Sequence, residues 1–276
     1  MFTHARWTIV SLALLWLTLG LSSSIAQTTQ TKLYDDFRSK QIDPSKWVGE
    51  PASLSPGSDK DRREVSVGLV GEEGHHRLRI SQTNYSAITD NNGSSGIGFG
   101  LGFATPSQLK AVSFTLAVDE VTVVDCGSNP SFATVGFFGD YFNPAGATNG
   151  QTGDIVASIA VTHFSHTGAL DVGASVSQCQ DTKCNGQSTV SFQDLGPVPA
   201  GSTNTLSAAW DQPNHQFIFR LNNDAPVPLP YTLPDSLPPG LADRSFFVFG
   251  SVPHCTTKPR PLASIDARFG NVYVNP

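Results

Sequence analysis

The residues from Thr205 to Asn223, TLSAAWDQPNHQFIFRLNN, leave a chain few ways to fold. Leu206, Ala208 and Trp210 alternate with polar or small residues, Asp211-Gln212-Pro213-Asn214 carries turn residues, and Phe217, Phe219 and Leu221 again fall on one face. Successive strand side chains point to opposite faces, so this pattern predicts a β-hairpin with one buried side. Asn222-Asn223-Asp224 tolerates positive φ, and a second tight turn is expected directly after the hairpin. The pattern prescribes an antiparallel sheet and no particular reaction.

The same period of two recurs along the chain. Strands are expected at Val65 to Leu69, Leu78 to Ser81, Val112 to Val124, Phe132 to Phe138, Ile155 to Phe164, Leu170 to Ser177, Ser188 to Phe192 and Ser245 to Gly250, with a last one from Ala263 to Val274. No segment carries a persuasive helical period, which argues for an all-β antiparallel β-sandwich. In Gly96-Ile97-Gly98-Phe99-Gly100-Leu101-Gly102-Phe103 every second residue is glycine, so one strand face has no side chains. Either another segment packs on that bare face or a ligand lies along it. Prolines at 226, 228, 230, 234, 238 and 239 make the following stretch extended and poor at pairing, so it is expected to cap an edge.

Residues 1–26 read as a secretory signal: His4 and Arg6 precede the apolar run Ile9 to Leu21, and Ser24-Ile25-Ala26 supplies a small-residue cleavage site. The apolar run is short of the ~20 residues a bilayer requires. Residues 27–276 are then expected to be one exported domain, secreted or periplasmic. The net charge of −6 and the lack of a basic run argue against nucleic acid or an anionic membrane as partner. Four cysteines allow three pairings; the short spacing favours Cys179 with Cys184, which leaves Cys126 for Cys255. There is no CxxC and no nearby histidine set to hold zinc.

Asp36-Phe37, a short loop and then Asp43-Pro44-Ser45-Lys46-Trp47 resemble the opening of concanavalin A-like lectin/glucanase jelly rolls. The Trp210 hairpin and the final strand Ala263 to Val274 are similar to their later parts, and more narrowly the chain looks like secreted bacterial proteins built on that fold. The resemblance implies a concanavalin A-like jelly roll and transfers no activity. It also implies a structural calcium between the first and last strands, with Asp36 and Asp266 as oxygen ligands; no other cofactor is expected.

Retaining glucanases of this fold place two carboxylates about 5–5.5 Å apart, on a strand of the form Glu-x-Asp-x-Glu. That strand is absent: Asp59 and Asp61 lie in a polar loop, and Asp119, Glu120 and Asp125 are the nearest approach on a strand. Carbohydrate binding asks only for aromatic faces, amides and carboxylates. Phe138, Asp140, Tyr141, Phe142 and Asn143 form one such cluster beside a loop, and Tyr85 with Asn91 and Asn92 precedes the glycine strand; the competing role for these aromatics is to finish the core. The expected function is recognition of an extracellular glycan or polysaccharide without catalysis. The alternatives are a hydrolase or lyase whose residues come from several strands, and an adhesive envelope protein that associates through strand edges, including with itself.

Overall fold

The alternating segments form fifteen strands in a computed structural model that describes residues 31–39, 41–49, 62–71, 76–86, 94–126, 130–146, 150–255 and 260–275. The expected signal segment lies outside these residues. In chain order the strands are β1 (Lys32–Asp35), β2 (Trp47–Val48), β3 (Arg62–Val70), β4 (Arg77–Tyr85), β5 (Ser94–Phe103), β6 (Ala111–Val124), β7 (Phe132–Phe142) and β8 (Ile155–Phe164). They continue with β9 (Leu170–Cys179), β10 (Gln187–Val198), β11 (Thr203–Asp211), β12 (Gln216–Leu221), β13 (Val227–Pro230), β14 (Arg244–Pro253) and β15 (Leu262–Val274).

Two antiparallel sheets result. The back sheet runs β13-β12-β11-β6-β15-β4-β3, with β1 beside the end of β15; the front sheet runs β10-β9-β8-β7-β14-β5-β2. The chain crosses from β4 in the back sheet to β5 in the front, back to β6 and forward again to β7. It returns through β14 and β15, so neighbours in space are often distant in sequence. This is the jelly-roll β-sandwich that the alternation and the resemblance imply.

The hairpin forms as expected. Trp210 pairs with Phe217 and Leu206 with Leu221, and both His215 and Asn222 take positive φ in the turns that follow each strand. The proline stretch departs from expectation in part, because Val227–Pro230 pairs with β12 as an edge strand. Tyr231 N donates to His215 O at 2.9 Å, so the N–H groups of alternate residues face β12. The intervening Pro228 and Pro230 turn their donorless nitrogens to the free edge, where nothing needs a donor.

Aromatic rings close the space between the sheets. Phe246 of the front sheet stacks on Phe269 of the back sheet at 4.5 Å and meets Phe114 at 4.8 Å, all three fully buried. Trp47 packs on Phe103 at 4.7 Å. Phe37 and Trp47 of the opening that carries the resemblance are structural, and the residue holding them is Asp35, outside that motif: its buried carboxylate accepts the Trp47 indole N–H at 2.8 Å and the Phe37 amide N–H at 2.9 Å. Phe37 itself sits at φ 56°, a strained conformation that this hydrogen bond helps hold. Cys126 pairs with Cys255 across a sequence separation of 129, and Cys179 pairs with Cys184.

Asp35→Ala orphans two buried donors, and each such loss costs about 1–3 kcal/mol. A lowered urea midpoint is expected, while Leu33→Ala, at an exposed position on the same strand, leaves the midpoint nearly unchanged. Equal midpoints for both variants would show that the Asp35–Trp47 bond does not support the fold.

Candidate functional site

β7 extends to Phe142, past the expected end at Phe138, and this overturns most of the aromatic cluster as a binding platform. Phe142 pairs with Ile155 of β8, and the register shifts between Asp140 and Phe142. A bulge of this kind turns consecutive side chains to one side. Tyr141 and Phe142 therefore both enter the core, each with its ring 5.7 Å from that of Trp210. Tyr141 meets Phe217 at 4.8 Å and Phe142 meets Tyr231 at 5.0 Å, so these rings finish the interior. Asn143 is fully buried and braces the following loop, its Nδ2 donating to Thr152 O at 3.0 Å and to Asp154 Oδ1 at 2.8 Å. Of the five, only Phe138 opens to solvent.

The other expected sites are not assembled either. Tyr85 ends β4 on the outer side of the back sheet, away from Phe138, and Asn92 lies outside the described residues. The calcium pair is corrected as well. Asp35 stands opposite Val272, so Asp266 is six positions further along β15, about 20 Å from Asp36 at ~3.3 Å per residue. Asp266 instead receives Arg79 Nε at 2.8 Å, and Asp36 pairs with Arg38 at 3.2 Å. Among the described residues no group of three His, Cys, Asp or Glu could hold a metal ion.

What the fold does assemble is a groove of about 660 Å³ across the outer face of the front sheet. The registers set Gly100, Phe247, Gly136, Ala160 and Gly173 side by side across five strands, with Gly102, Ser245, Phe138, Ser158 and Ser175 in the next row. The floor thus carries only glycine and small side chains over β5 and β8, while on β9 the Phe192 ring of β10 lies over Gly173. Phe247 and Phe249 of β14 and Phe138 of β7 line the groove over it. Gly136 has no alternative, because a Cβ there would collide with the backbone of Ile159 and Ala160. The bare face of β5 has both of its expected fates: the Phe249 ring lies over Gly96 and Gly98, and all three of Gly96, Gly98 and Gly100 remain exposed. Lys183, from the loop that the Cys179–Cys184 bond closes, lines one side together with Asn185 just after it and Gln187 at the start of β10.

Acids gather at one end of the groove. Asp243 contributes to the lining, and its carboxyl is raised by burial against the pull of the neighbouring Arg244 amide and cation. Beneath it the fully buried Asp140 accepts Gln151 Nε2 at 2.9 Å and the Asp243 amide at 3.3 Å, while its second oxygen has no hydrogen-bond partner. Burial, opposed by the Gln151 bond, pushes the Asp140 carboxyl up to about 8, with Asp243 and Asp154 adding repulsion. Sequence reasoning missed Ser245, Phe247, Phe249, Lys183 and Asp243. The glycine alternation was the one signal pointing to this face; the rest are brought there by pairing partners distant in sequence.

No protein-family model and no curated protein matches the chain. Solved structures of similar fold include a laminarinase from Flavobacterium sp. UMI-01, with 11% identity over 89% of this chain and 100% of that one and a TM-score of 0.39. A glycoside hydrolase family 16 endo-glucanase from Bacteroides ovatus has 12% identity over 86% and 98% of the two chains, with a TM-score of 0.37. The exoplasmic/lumenal domain of VIP36, in its Ca2+/Man3GlcNAc-bound form, has 9% identity over 83% and 89%, with a TM-score of 0.33. A likeness of this size assigns no activity.

The Asp140 carboxyl makes stability depend on pH. Its folded value of about 8 exceeds the ordinary 3.8, so the folded state holds a proton that the unfolded state releases. Stability from this group is fully present below about pH 4 and is lost as pH rises through 8, falling by about 1.4 kcal/mol per pH unit between those values. Asp140→Asn keeps an acceptor for Gln151 and removes the titration. Unfolding free energies from urea titrations between about pH 5 and pH 9 are expected to fall by several kcal/mol more in the wild type than in the variant. Parallel curves would refute a buried protonated acid.

Proposed function

We propose that this protein binds a polysaccharide strand along the front-sheet groove without cleaving it, outside the cytoplasm. The observation that carries the reading is the floor of glycine and small residues flanked by half-buried phenyl rings. Sugar rings pair an apolar face with hydroxyl edges, so they stack on aromatic rings and hydrogen-bond to whatever surrounds them. Phe138, Phe247 and Phe249 offer the apolar surfaces, and Ser158, Ser245, Asn185 and Gln187 offer the polar partners. From β5 to β8 the floor spans three strand spacings, about 15 Å at the usual interval. That extent suits a chain of sugars better than a single ring. Two disulfides, together with the signal-like segment at residues 1–26, support an oxidising, extracytoplasmic location.

Hydrolysis through two carboxylates would require a second acid facing the substrate. Among the described residues Asp243 is the one carboxylate that lines the groove, and this supports a binding role. One observation favours a second reading, in which Asp243, just before β14, acts as a general acid on a bond held at the groove's end. Its carboxyl is raised by burial, as a general acid would require.

Affinity electrophoresis against a panel of soluble polysaccharides distinguishes the two. At least one polymer is expected to retard the protein without new reducing ends. Phe247→Ala with Phe249→Ala should weaken that binding tenfold or more, two stacking contacts being worth about 0.5–1.5 kcal/mol each beyond the buried area. Gly100→Val should abolish binding by filling the floor while leaving the fold intact, since a Cβ there meets the Ser245 hydroxyl at 3.3 Å and no backbone more closely. Reducing ends that accumulate with the wild type and not with Asp243→Asn would establish the hydrolase instead. Retardation unchanged by every groove variant would overturn both readings.

A further inference from the structure

A second cavity, of about 280 Å³, opens at one end of the sandwich between the two sheets, and a cation stands in its wall. Arg244 begins β14 opposite Gly139 of β7. The missing side chain at Gly139 makes room for it, since a Cβ there would stand 2.8 Å from Arg244 Cγ. The arginine is only 3% exposed, and its guanidinium carbon lies 4.3 Å from the centre of the Tyr141 ring. Its Nε and Nη1 have no hydrogen-bond partner, and of the described carboxylates Asp243 lies near enough to attract it without forming a close ion pair. A buried charge whose hydrogen-bonding groups are left unpaired is strongly disfavoured, and an anion in the cavity would supply the missing partners.

The rest of the cavity narrows the choice of anion. Lys110 adds a second cation at the exposed rim. Asp235 also lines the cavity, but its Oδ2 takes the Tyr231 hydroxyl at 2.6 Å and His215 Nδ1 at 3.1 Å, and it forms no ion pair with Arg244. Trp210, Tyr141 and Pro238 give apolar walls, while Ser107 and Gln212 offer hydroxyl and amide groups. Cations at one side, apolar faces and scattered polar groups match a single sugar ring bearing a carboxylate. We infer that this cavity binds a hexuronate, with Arg244 as the counterion of its carboxylate and Lys110 as a second contact.

Calorimetric titration of the full chain with sodium glucuronate tests this, with glucose, acetate and sulfate as separate titrants. Glucuronate is expected to bind saturably and to change the tryptophan emission, because Trp210 lines the cavity. The other titrants should bind at least tenfold more weakly. Arg244→Met should weaken glucuronate at least tenfold, and Lys110→Gln, at an exposed position, several-fold with no change in urea midpoint; the second variant decides the matter if the first does not fold. Gly100→Val, which fills the front groove, should leave glucuronate binding unaltered, so this cavity and the groove fail or succeed separately. Absence of saturable binding, or binding indifferent to both cavity variants, overturns the assignment. Acetate or sulfate binding as tightly as glucuronate overturns its sugar part.

Discussion

The pairing of β14 with β7 is the contact on which the rest of this structure depends. Phe246 stands opposite Phe137 and Phe247 opposite Gly136, so one register sends two layers of residues in opposite directions. Inward, Phe246 reaches Phe114 and Phe269 of the other sheet and locks the layers together. Outward, the same two strands place Phe247, Phe249 and Phe138 in the groove. A slip of one residue would exchange these sets, exposing the core rings and burying the groove. Burial of the Phe246 cluster therefore determines the geometry of the outer face.

Glycine does different work at the two ends of that contact. Gly136 lets the backbones of β7 and β8 lie so close that no Cβ would fit between them, and Gly139 leaves the space in which Arg244 lies. In each case a residue without a side chain transfers room to a neighbour. On β5 the repeated glycines do this along a strand face: Phe249 folds over Gly96 and Gly98, while Gly100 meets only the small Ser245 side chain and the neighbouring backbone. The outer face is consequently smooth and partly apolar, with polar groups mainly around its margins.

Charge follows the same division between the sheets. On the back sheet Arg79 meets Asp266 and Arg268 meets Asp119, exposed pairs that leave little net field. At the adjoining ends of β7 and β14 the charges are buried and unequally compensated. Asp140 escapes its burial by holding a proton, an option that arginine does not have. At the Arg244 cavity a buried charge therefore meets an accessible space with too few partners of its own.

By itself the sequence determined the alternating strands, the turns at Asp211 to Asn214 and at Asn222, the all-β class and the choice of cysteine partners, because each rests on neighbours within about ten residues or on simple spacing. It also marked the glycine strand as unusual, without deciding what would lie against it. Tertiary structure decided the rest. Phe138 to Asn143 look like a loop cluster until β8 extends the pairing and a bulge turns Tyr141 and Phe142 inward. Asp36 and Asp266 look like partners until the β1 and β15 register separates them. Whether an aromatic or an acid faces core or solvent depends on which distant strand pairs beside it and in what register, and a period of two is compatible with either face.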